Sequence, residues 1–342
     1  MKRDIKSMLL PELEEYFKSI SEQKFRAKQV FTWLHTGVVS FCEMTNISLK
    51  LREKLNNDFF ISVPQLIEKQ ISEADGTVKY LWCVQDHDIV ECVLMHYAHG
   101  YTICISSQVG CKMGCTFCAS SLDGFKRDLF ASEMLDQVLF TQKDADIRIS
   151  NVVLMGIGEP LDNFESVMRF IQLISHCSGM NIGARHITLS TCGMVENIDR
   201  LAEYDVQLTL AISLHAPDDE TRSLLIPVNR ITGVKELLKA GERYFTKTGR
   251  RITYEYALID EINVSDAQAE LLSKLLKGTS YHLNLISLSN VKDRVFKPAT
   301  NESVGNFLNI LNKNGVNYTI RRSLGTDIEA SCGQLRHRVL NT

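Results

Sequence analysis

No stretch of this chain approaches the ~20 consecutive apolar residues that a membrane-spanning helix needs. The amino terminus, MKRDIKSMLLPELEEYF, lacks the apolar core and small-residue cleavage site of a secretory signal. An excess of basic charge is missing too. Lys and Arg number 38 against 41 Asp and Glu, a net charge of −3, which argues against a protein that coats nucleic acid by bulk electrostatics. Low-complexity tracts and sequence repeats are not present. These absences predict a cytoplasmic globular protein without membrane contact. Its 342 residues, 44% hydrophobic and 23% charged, suffice for one large core and a small accessory domain.

Cysteine, by contrast, is abundant. Ten cysteines without an export signal favour metal binding or thiol chemistry over a disulfide scaffold. Cys42, Cys83, Cys92 and Cys177 are isolated in apolar or mixed stretches and read as small packing hydrophobes. Basic residues form local patches at Lys126-Arg127, Arg250-Arg251, Arg294 to Lys297, Arg321-Arg322 and Arg336-His337-Arg338. Each alone reads as a solvated face; together they leave room for a charged substrate.

Hydrophobic periodicity divides the chain into three parts. Residues 1–75 carry three- and four-residue spacing (Leu9, Leu13, Tyr16, Phe17; Ala27, Val30, Phe31, Leu34; Leu49, Leu51, Leu55), the mark of short amphipathic helices in a small N-terminal module. Residues 76–100 hold two alternating runs, 79–85 and 89–95, joined by Asp86-His87-Asp88, which predict a β-hairpin. From 101 to 342 strand-like runs (101–107, 150–155, 186–190, 207–213, 252–258, 282–288, 317–321) alternate with helix-like segments of about ten residues or more. That alternation predicts an α/β fold with a parallel sheet, a partial barrel of about six βα units. Ligand chemistry then belongs at the C-terminal ends of the strands.

The run 101–107 leads into Cys104-Ile-Ser-Ser-Gln-Val-Gly-Cys111-Lys-Met-Gly-Cys115-Thr-Phe-Cys118. From Cys111 the spacing is C-x3-C-x2-C on a glycine-containing loop. Thiolates are soft ligands suited to iron–sulfur clusters, and three can hold three corners of a cubane. No fourth cysteine lies nearby at a cluster-like spacing, so one iron would stay open to an outside ligand. The alternatives are zinc, which normally shows ligands in pairs, and packing thiols, which do not produce this spacing.

This pattern resembles the radical S-adenosylmethionine (SAM) superfamily, in which the open iron of a [4Fe–4S] cluster chelates SAM. Phe117 matches the aromatic residue before the last cysteine, and Gly156-Ile-Gly158-Glu159-Pro160 resembles the superfamily's GEP motif. The resemblance implies a radical SAM partial (β/α)6 barrel. It also implies SAM contacts from Gly158, Glu159, Ser190, Ser213, Leu214 and His215.

Further motifs narrow it. The 104–111 stretch, Ala211-Ile-Ser-Leu-His-Ala-Pro217, Ala330-Ser-Cys332-Gly-Gln-Leu335 and Phe25-Arg-Ala-Lys-Gln-Val30 resemble the RlmN/Cfr family of RNA adenosine methyltransferases, nearer its RlmN branch, from about residue 10 to 338. The resemblance implies two SAM molecules per turnover. Cys332 takes a methyl group from one; a radical from the second activates that methyl to add to C2 of adenine. Cys104 then attacks the Cys332 sulfur, releasing product and forming a Cys104–Cys332 disulfide, while Glu91 removes the ring proton. Implied partners are 23S ribosomal RNA, transfer RNA next to the anticodon, and an electron donor such as flavodoxin or ferredoxin; the protein is expected to be a monomer. The N-terminal module and basic patches would form the RNA-contacting surface. Two positions depart from the family: Ser289-Asn290 replaces the usual placement of a SAM-contacting asparagine, and Cys192 stands where serine is usual. Competing readings are C8 methylation of the Cfr type and a non-enzymatic metal protein that binds RNA on a barrel scaffold.

Overall fold

A computed structural model describes residues 2–336 apart from 205 and 293. His337 and Arg338 of the last basic patch lie outside the described residues. The N-terminal module contains β1 (Arg3–Asp4), α1 (Leu10–Ser19), α2 (Lys24–Leu34), α3 (Leu49–Asp58) and β2 (Phe59–Phe60). Its buried stripe, Leu13, Phe17, Ala27, Val30, Phe31, Leu34, Leu51 and Leu55, is the one the periodicity marked. Ser48 caps α3 by accepting the Leu51 N–H, supplying one of the acceptors that a helix start lacks.

The sheet begins earlier than the hairpin expectation placed it. Strand β3 (Gln65–Ile71) precedes β4 (Val78–Cys83) and β5 (Ile89–Tyr97), so the extension is a three-stranded antiparallel meander. Most of β3 is exposed on both faces, which left its sequence without the alternation that reveals β4 and β5.

Strand β6 (Gly100–Cys104) turns the sheet from antiparallel to parallel, pairing antiparallel with β5 and parallel with β9 (Ile149–Leu154). A short hairpin, β7 (Gln108–Gly110) and β8 (Phe125–Asp128), interrupts the path to α4 (Ala131–Ala145). Then follow α5 (Phe164–Ser175), β10 (Ile187–Thr191), α6 (Val195–Ala202), β11 (Thr209–Ser213), α7 (Asp219–Leu225), α8 (Val234–Thr248), β12 (Ile252–Leu258), α9 (Asp266–Leu276), β13 (Tyr281–Ser287), α10 (Asn301–Lys313) and β14 (Tyr318–Arg321). The sheet order is β14-β13-β12-β11-β10-β9-β6-β5-β4-β3, with β14 and β3 left as unjoined edges. This is a mixed α/β fold: six βα units and a final parallel strand, a barrel left open.

Helix α7 was not anticipated. It has seven residues, too few for a periodic signature, and starts at Asp218, whose side chain accepts the Thr221 N–H. The N-terminal module is locked to the barrel by a buried ion pair between Lys6 and Asp136 of α4, with Ser62 donating to the second Asp136 oxygen at 2.9 Å. Arg169 of α5 adds bonds to Glu12 at 2.6 Å and to the Ser7 carbonyl. Among the described residues no helix is long and apolar enough to cross a membrane.

Candidate active site

The C-terminal ends of the parallel strands surround a pocket of about 160 Å³. Cys111, Cys115 and Cys118 line it from one side, and Gly158, Glu159, Ser190, Ser213 and His215 from the strand ends. The cysteine loop is shaped locally. Gly110 has φ +73° and lies so close to the neighbouring strand that a Cβ would stand 1.8 Å from the Gly124 carbonyl oxygen, so only glycine fits. The loop is then tied down by the Cys111 N–H to Gly124, the Thr116 N–H to Leu225, and the Ala119 N–H to Gly333, at 3.1, 3.0 and 2.7 Å. Arg294, after β13, donates to the Cys118 carbonyl and to Ser121 Oγ, both at 2.7 Å.

Burial pushes the Cys111 thiol up to about 12, and raises Cys115 and Cys118 as well, with neighbouring thiols adding to the effect. Three adjacent thiols that resist ionisation need a cationic partner before they become ligands. Among the described residues no three His, Cys, Asp or Glu side chains converge as they would on a single ion. The three thiols instead ring a pocket, an arrangement that suits a multi-iron group whose corners each take one sulfur.

Glu159 is 3% exposed and its carboxylate is fully engaged, accepting the Cys192 N–H at 2.7 Å and the Leu161 N–H at 3.0 Å. Burial raises its pKa. Its own N–H donates to Gln108 Oε1 at 2.9 Å. Gly158, φ +104°, lies against that same glutamine: an added Cβ would meet the Gln108 Cβ at 2.6 Å. The backbone of the GEP turn is thus pressed onto β7, leaving its outer face to a ligand. His215 is in the left-handed region, φ +55°, with its ring edge-on to Phe117 at 5.0 Å. The Ala257 N–H donates to its Nδ1 at 2.9 Å. Burial, then the nearby Arg222 charge, drops its pKa to about 3, so the ring is neutral and carries its proton on Nε2.

Three sequence-predicted contacts are placed elsewhere. Leu214 does not line the pocket; its N–H donates to the Glu255 carbonyl and its carbonyl accepts from Arg222. Ser289 lines a neighbouring cavity, and the Asn290 carbonyl accepts from Gln334 at 2.8 Å. Met155, Glu255, Arg321 and Cys192 line the main pocket unforeseen as contacts. Sequence reading also missed Arg222. It is 1% exposed and donates to the carbonyls of Leu214, Ser213 and Cys192 and to Asn229 Oδ1, and burial lowers its pKa to about 10. Its only signal was a charged residue in a short, non-periodic segment.

The neighbouring cavity, about 30 Å³, brings Cys104 and Cys332 together, with Val93, Met155, Arg321 and Leu335 around them. Cys104 ends β6 opposite Val93. Burial pushes its thiol up to about 12, and Cys332 adds to the shift. Cys332 also lines the main pocket, so it faces both spaces. Both are free thiols, and the disulfide expected between them is not formed here. Arg321 ends β14 beside this pair and donates to Met155 Sδ at 3.4 Å; the Cys332 sulfur first, and Glu255 next, strengthen its hold on its proton. Glu91 lines neither cavity. It is fully buried on β5, on the face it shares with Val93, and its Oε2 accepts the Arg336 N–H at 3.0 Å.

The basic patches are largely spoken for. Lys126 and Arg127 pair with Asp88 and Glu133, Arg250 donates to the Leu208 carbonyl, and Arg336 pairs with Asp123. Of the four cysteines read as packing residues, Cys83 and Cys92 are buried, but Cys42 and Cys177 are exposed, since each falls in a surface connection rather than in an element's inner face.

A pocket at the strand ends of an open parallel barrel, rimmed by C-x3-C-x2-C thiols and the GEP turn, defines the class: this is a radical SAM enzyme, working with a [4Fe–4S] cluster and SAM. Residues 105–271 match the radical SAM superfamily, and residues 4–61 match the ribosomal RNA large subunit methyltransferase N-terminal domain. Two relatives, from Lachnoclostridium phytofermentans and Alkaliphilus oremlandii, each named a probable dual-specificity RNA methyltransferase RlmN, are 50% identical to it. They align over 98% and 99% of this chain and 94% and 99% of their own. The crystal structure of a radical SAM methyltransferase from Sphaerobacter thermophilus superimposes with a TM-score of 0.92 at 40% identity, over 97% of this chain and 99% of that one. The chain belongs to the RlmN family of radical SAM RNA methyltransferases.

Proposed function

We propose that this enzyme methylates C2 of an adenosine in 23S ribosomal RNA, at the peptidyl-transferase centre, and of the adenosine 3′ to the anticodon in transfer RNA. The observation that carries the reading is the second cavity: a thiol from β6 and a thiol from the C-terminal loop meet beside the SAM pocket. C2 of adenine is electron-poor and does not attack the methyl of SAM as a nucleophile, so a carrier is needed. The names and match of the relatives support RNA as the substrate.

Cys111, Cys115 and Cys118 would hold the cluster, and Gly158, Glu159, Ser190, Ser213 and His215 would hold SAM. When bound, these groups supply a methyl group and a 5′-deoxyadenosyl radical. Cys332, open to both cavities, carries the methyl toward the adenine. Cys104 attacks the Cys332 sulfur of the enzyme–RNA adduct; the S–S bond forms as the carbon–sulfur bond breaks, and the released pair of electrons stays with the nucleobase. Arg321 lies beside both sulfurs and donates to Met155 Sδ. Glu91 takes the proton from the methylated carbon; for that the Arg336 segment, which now donates to it, must yield to the substrate. The adenine must leave its stack to arrive there. The enzyme acts as a monomer and receives its electron from flavodoxin or ferredoxin, with the N-terminal module contacting RNA.

The test is nucleoside mass spectrometry of RNA treated with anaerobically reconstituted enzyme, SAM and reductant. Release of 5′-deoxyadenosine with 2-methyladenosine is the expected result. Formation of 8-methyladenosine would replace the C2 assignment, and absence of both products would sink the enzymatic reading.

A further inference from the structure

The cradle of Cys332 lies in the three-stranded extension, outside the barrel. The turn joining β3 to β4 is closed on itself: the Ser72 N–H donates to the Thr77 carbonyl at 2.8 Å, and Asp75 Oδ1 accepts the Thr77 N–H at 2.9 Å. Its side chains then reach across to the loop that follows β14. Ser72 Oγ donates to Asp327 Oδ1 at 2.7 Å and the Glu73 N–H to Asp327 Oδ2 at 3.0 Å. The Gly325 N–H donates to Asp75 Oδ2 at 2.9 Å. Lys79, 1% exposed, donates to the Ile328 carbonyl at 2.5 Å and to that of Glu329 at 3.4 Å.

The gripped segment passes the constraint on to the cysteine. The Ala330 N–H donates to the Gly325 carbonyl at 2.8 Å, and Ser331 Oγ to the Leu324 carbonyl at 2.7 Å. Gly325, φ +63°, fits so closely that a Cβ would stand 2.8 Å from the Ala330 Cβ and 3.0 Å from Thr77 Cγ2. Cys332 follows immediately. Residues 325–331 therefore form a small rigid unit whose outward bonds run mainly to one turn of the extension. The amine of Lys79 is buried with these two loop carbonyls among its partners, which offset part of the cost of taking it out of water.

We propose that Ser72, Asp75 and Lys79 are positioning residues for Cys332: the extension sets the height and direction of the methyl-carrying thiol between its two cavities. This rests on the carrier role given to Cys332 above. No residue of the turn lines the main pocket, so its loss should uncouple the two halves of the reaction. 5′-Deoxyadenosine would still be released, while fewer methyl groups would reach RNA.

The experiment compares the reconstituted full-length enzyme with the Ser72→Ala/Asp75→Ala double variant and with Ser72→Thr, which keeps the hydroxyl. The ratio of 5′-deoxyadenosine released to methyl transferred should rise about tenfold in the double variant and stay within about twofold of wild type in Ser72→Thr. Hydrogen exchange on the isolated proteins supplies a readout independent of turnover: amides of residues 325–331 should exchange faster in the double variant, and those of 111–118 should not. An unchanged ratio, a parallel fall in both products, or exchange that accelerates equally in both segments would overturn the proposal. If instead the wild type carries no methyl on Cys332, or Cys332→Ala still methylates RNA, the carrier reading itself fails, whatever the turn does.

Discussion

Two sets of cysteines line two adjoining cavities, with Cys332 common to both, and they arrive by opposite routes. Cys111, Cys115 and Cys118 share one loop whose shape is set by nearby glycines and carbonyls, chiefly Gly110 against Gly124. Cys104 and Cys332 come from the first and last parts of the barrel and meet only because β6 and the segment after β14 flank the same cavity. A ligand set for one compact group can be written in a short loop, because its members need a common distance from one centre. The relay proposed for the second set needs two sulfurs that approach in turn, and its members come from separately anchored elements. The difference teaches that the first set is neighbours along one loop, which distant segments then tie down at Leu225, Gly333 and Arg294, whereas the second set is neighbours only through the sheet.

The strongest way to break that contrast is to remove one member of each set. Cys332→Ala should lower methyl transfer to RNA on the order of 10³-fold or more while retaining iron and SAM cleavage. Cys115→Ala should lose iron, cleavage and transfer together. Iron analysis with product mass spectrometry decides it; loss of iron in Cys332→Ala would show that the two sets are not separable. Cys104→Ala should leave Cys332 methylation intact and accumulate a covalent protein–RNA adduct, visible as a shifted band sensitive to nuclease.

Arg222→Met should be the costliest of the stability changes, about 3 kcal/mol by urea denaturation, because it strands buried carbonyls of Leu214, Ser213 and Cys192 beside the main pocket. Gly158→Ala should cost about 2 kcal/mol, from a positive φ and the clash with Gln108, and should weaken SAM binding by calorimetry. Both act on the strand ends, and neither should alter hydrogen exchange in residues 325–331.

A smaller effect separates module from barrel by pH. Burial holds His35 in the N-terminal module at about 4 and His215 in the pocket at about 3, against an ordinary 6.5. Below 6.5 the unfolded chain binds protons that the folded one refuses, so stability is full above that value and falls as acid is added, toward about 4 for one and 3 for the other. His35→Gln should shift the acid-unfolding midpoint to lower pH; an unchanged midpoint would mean that His35 is protonated in the fold.

Most of the barrel was legible because each βα unit repeats the same physics: a short apolar strand, a turn, an amphipathic helix. Strands 252–258 and helix 195–202 fall where the periodicity placed them. Exposed β3 and seven-residue α7 carried no such period, and Arg222 was hidden with the latter. Leu214, Ser289 and Asn290 were expected at SAM from their place in a motif, yet one serves the sheet and two sit off the main pocket. Side-chain direction at a strand end depends on a twist and register that spacing along the chain does not encode.

The sequence by itself determined the C-x3-C-x2-C spacing, the glycine-rich turn and the alternation of strands and helices through most of the barrel, because each is a pattern of residue types close along the chain. Tertiary structure alone decided that Cys104 and Cys332 share a cavity, that Arg321 lines both that cavity and the main pocket, and that a turn at Ser72–Thr77 holds the loop carrying Cys332. Ser72 and Asp327 lie 255 residues apart, and Cys104 and Cys332 are likewise far apart along the chain, so only the course of the sheet brings each pair together.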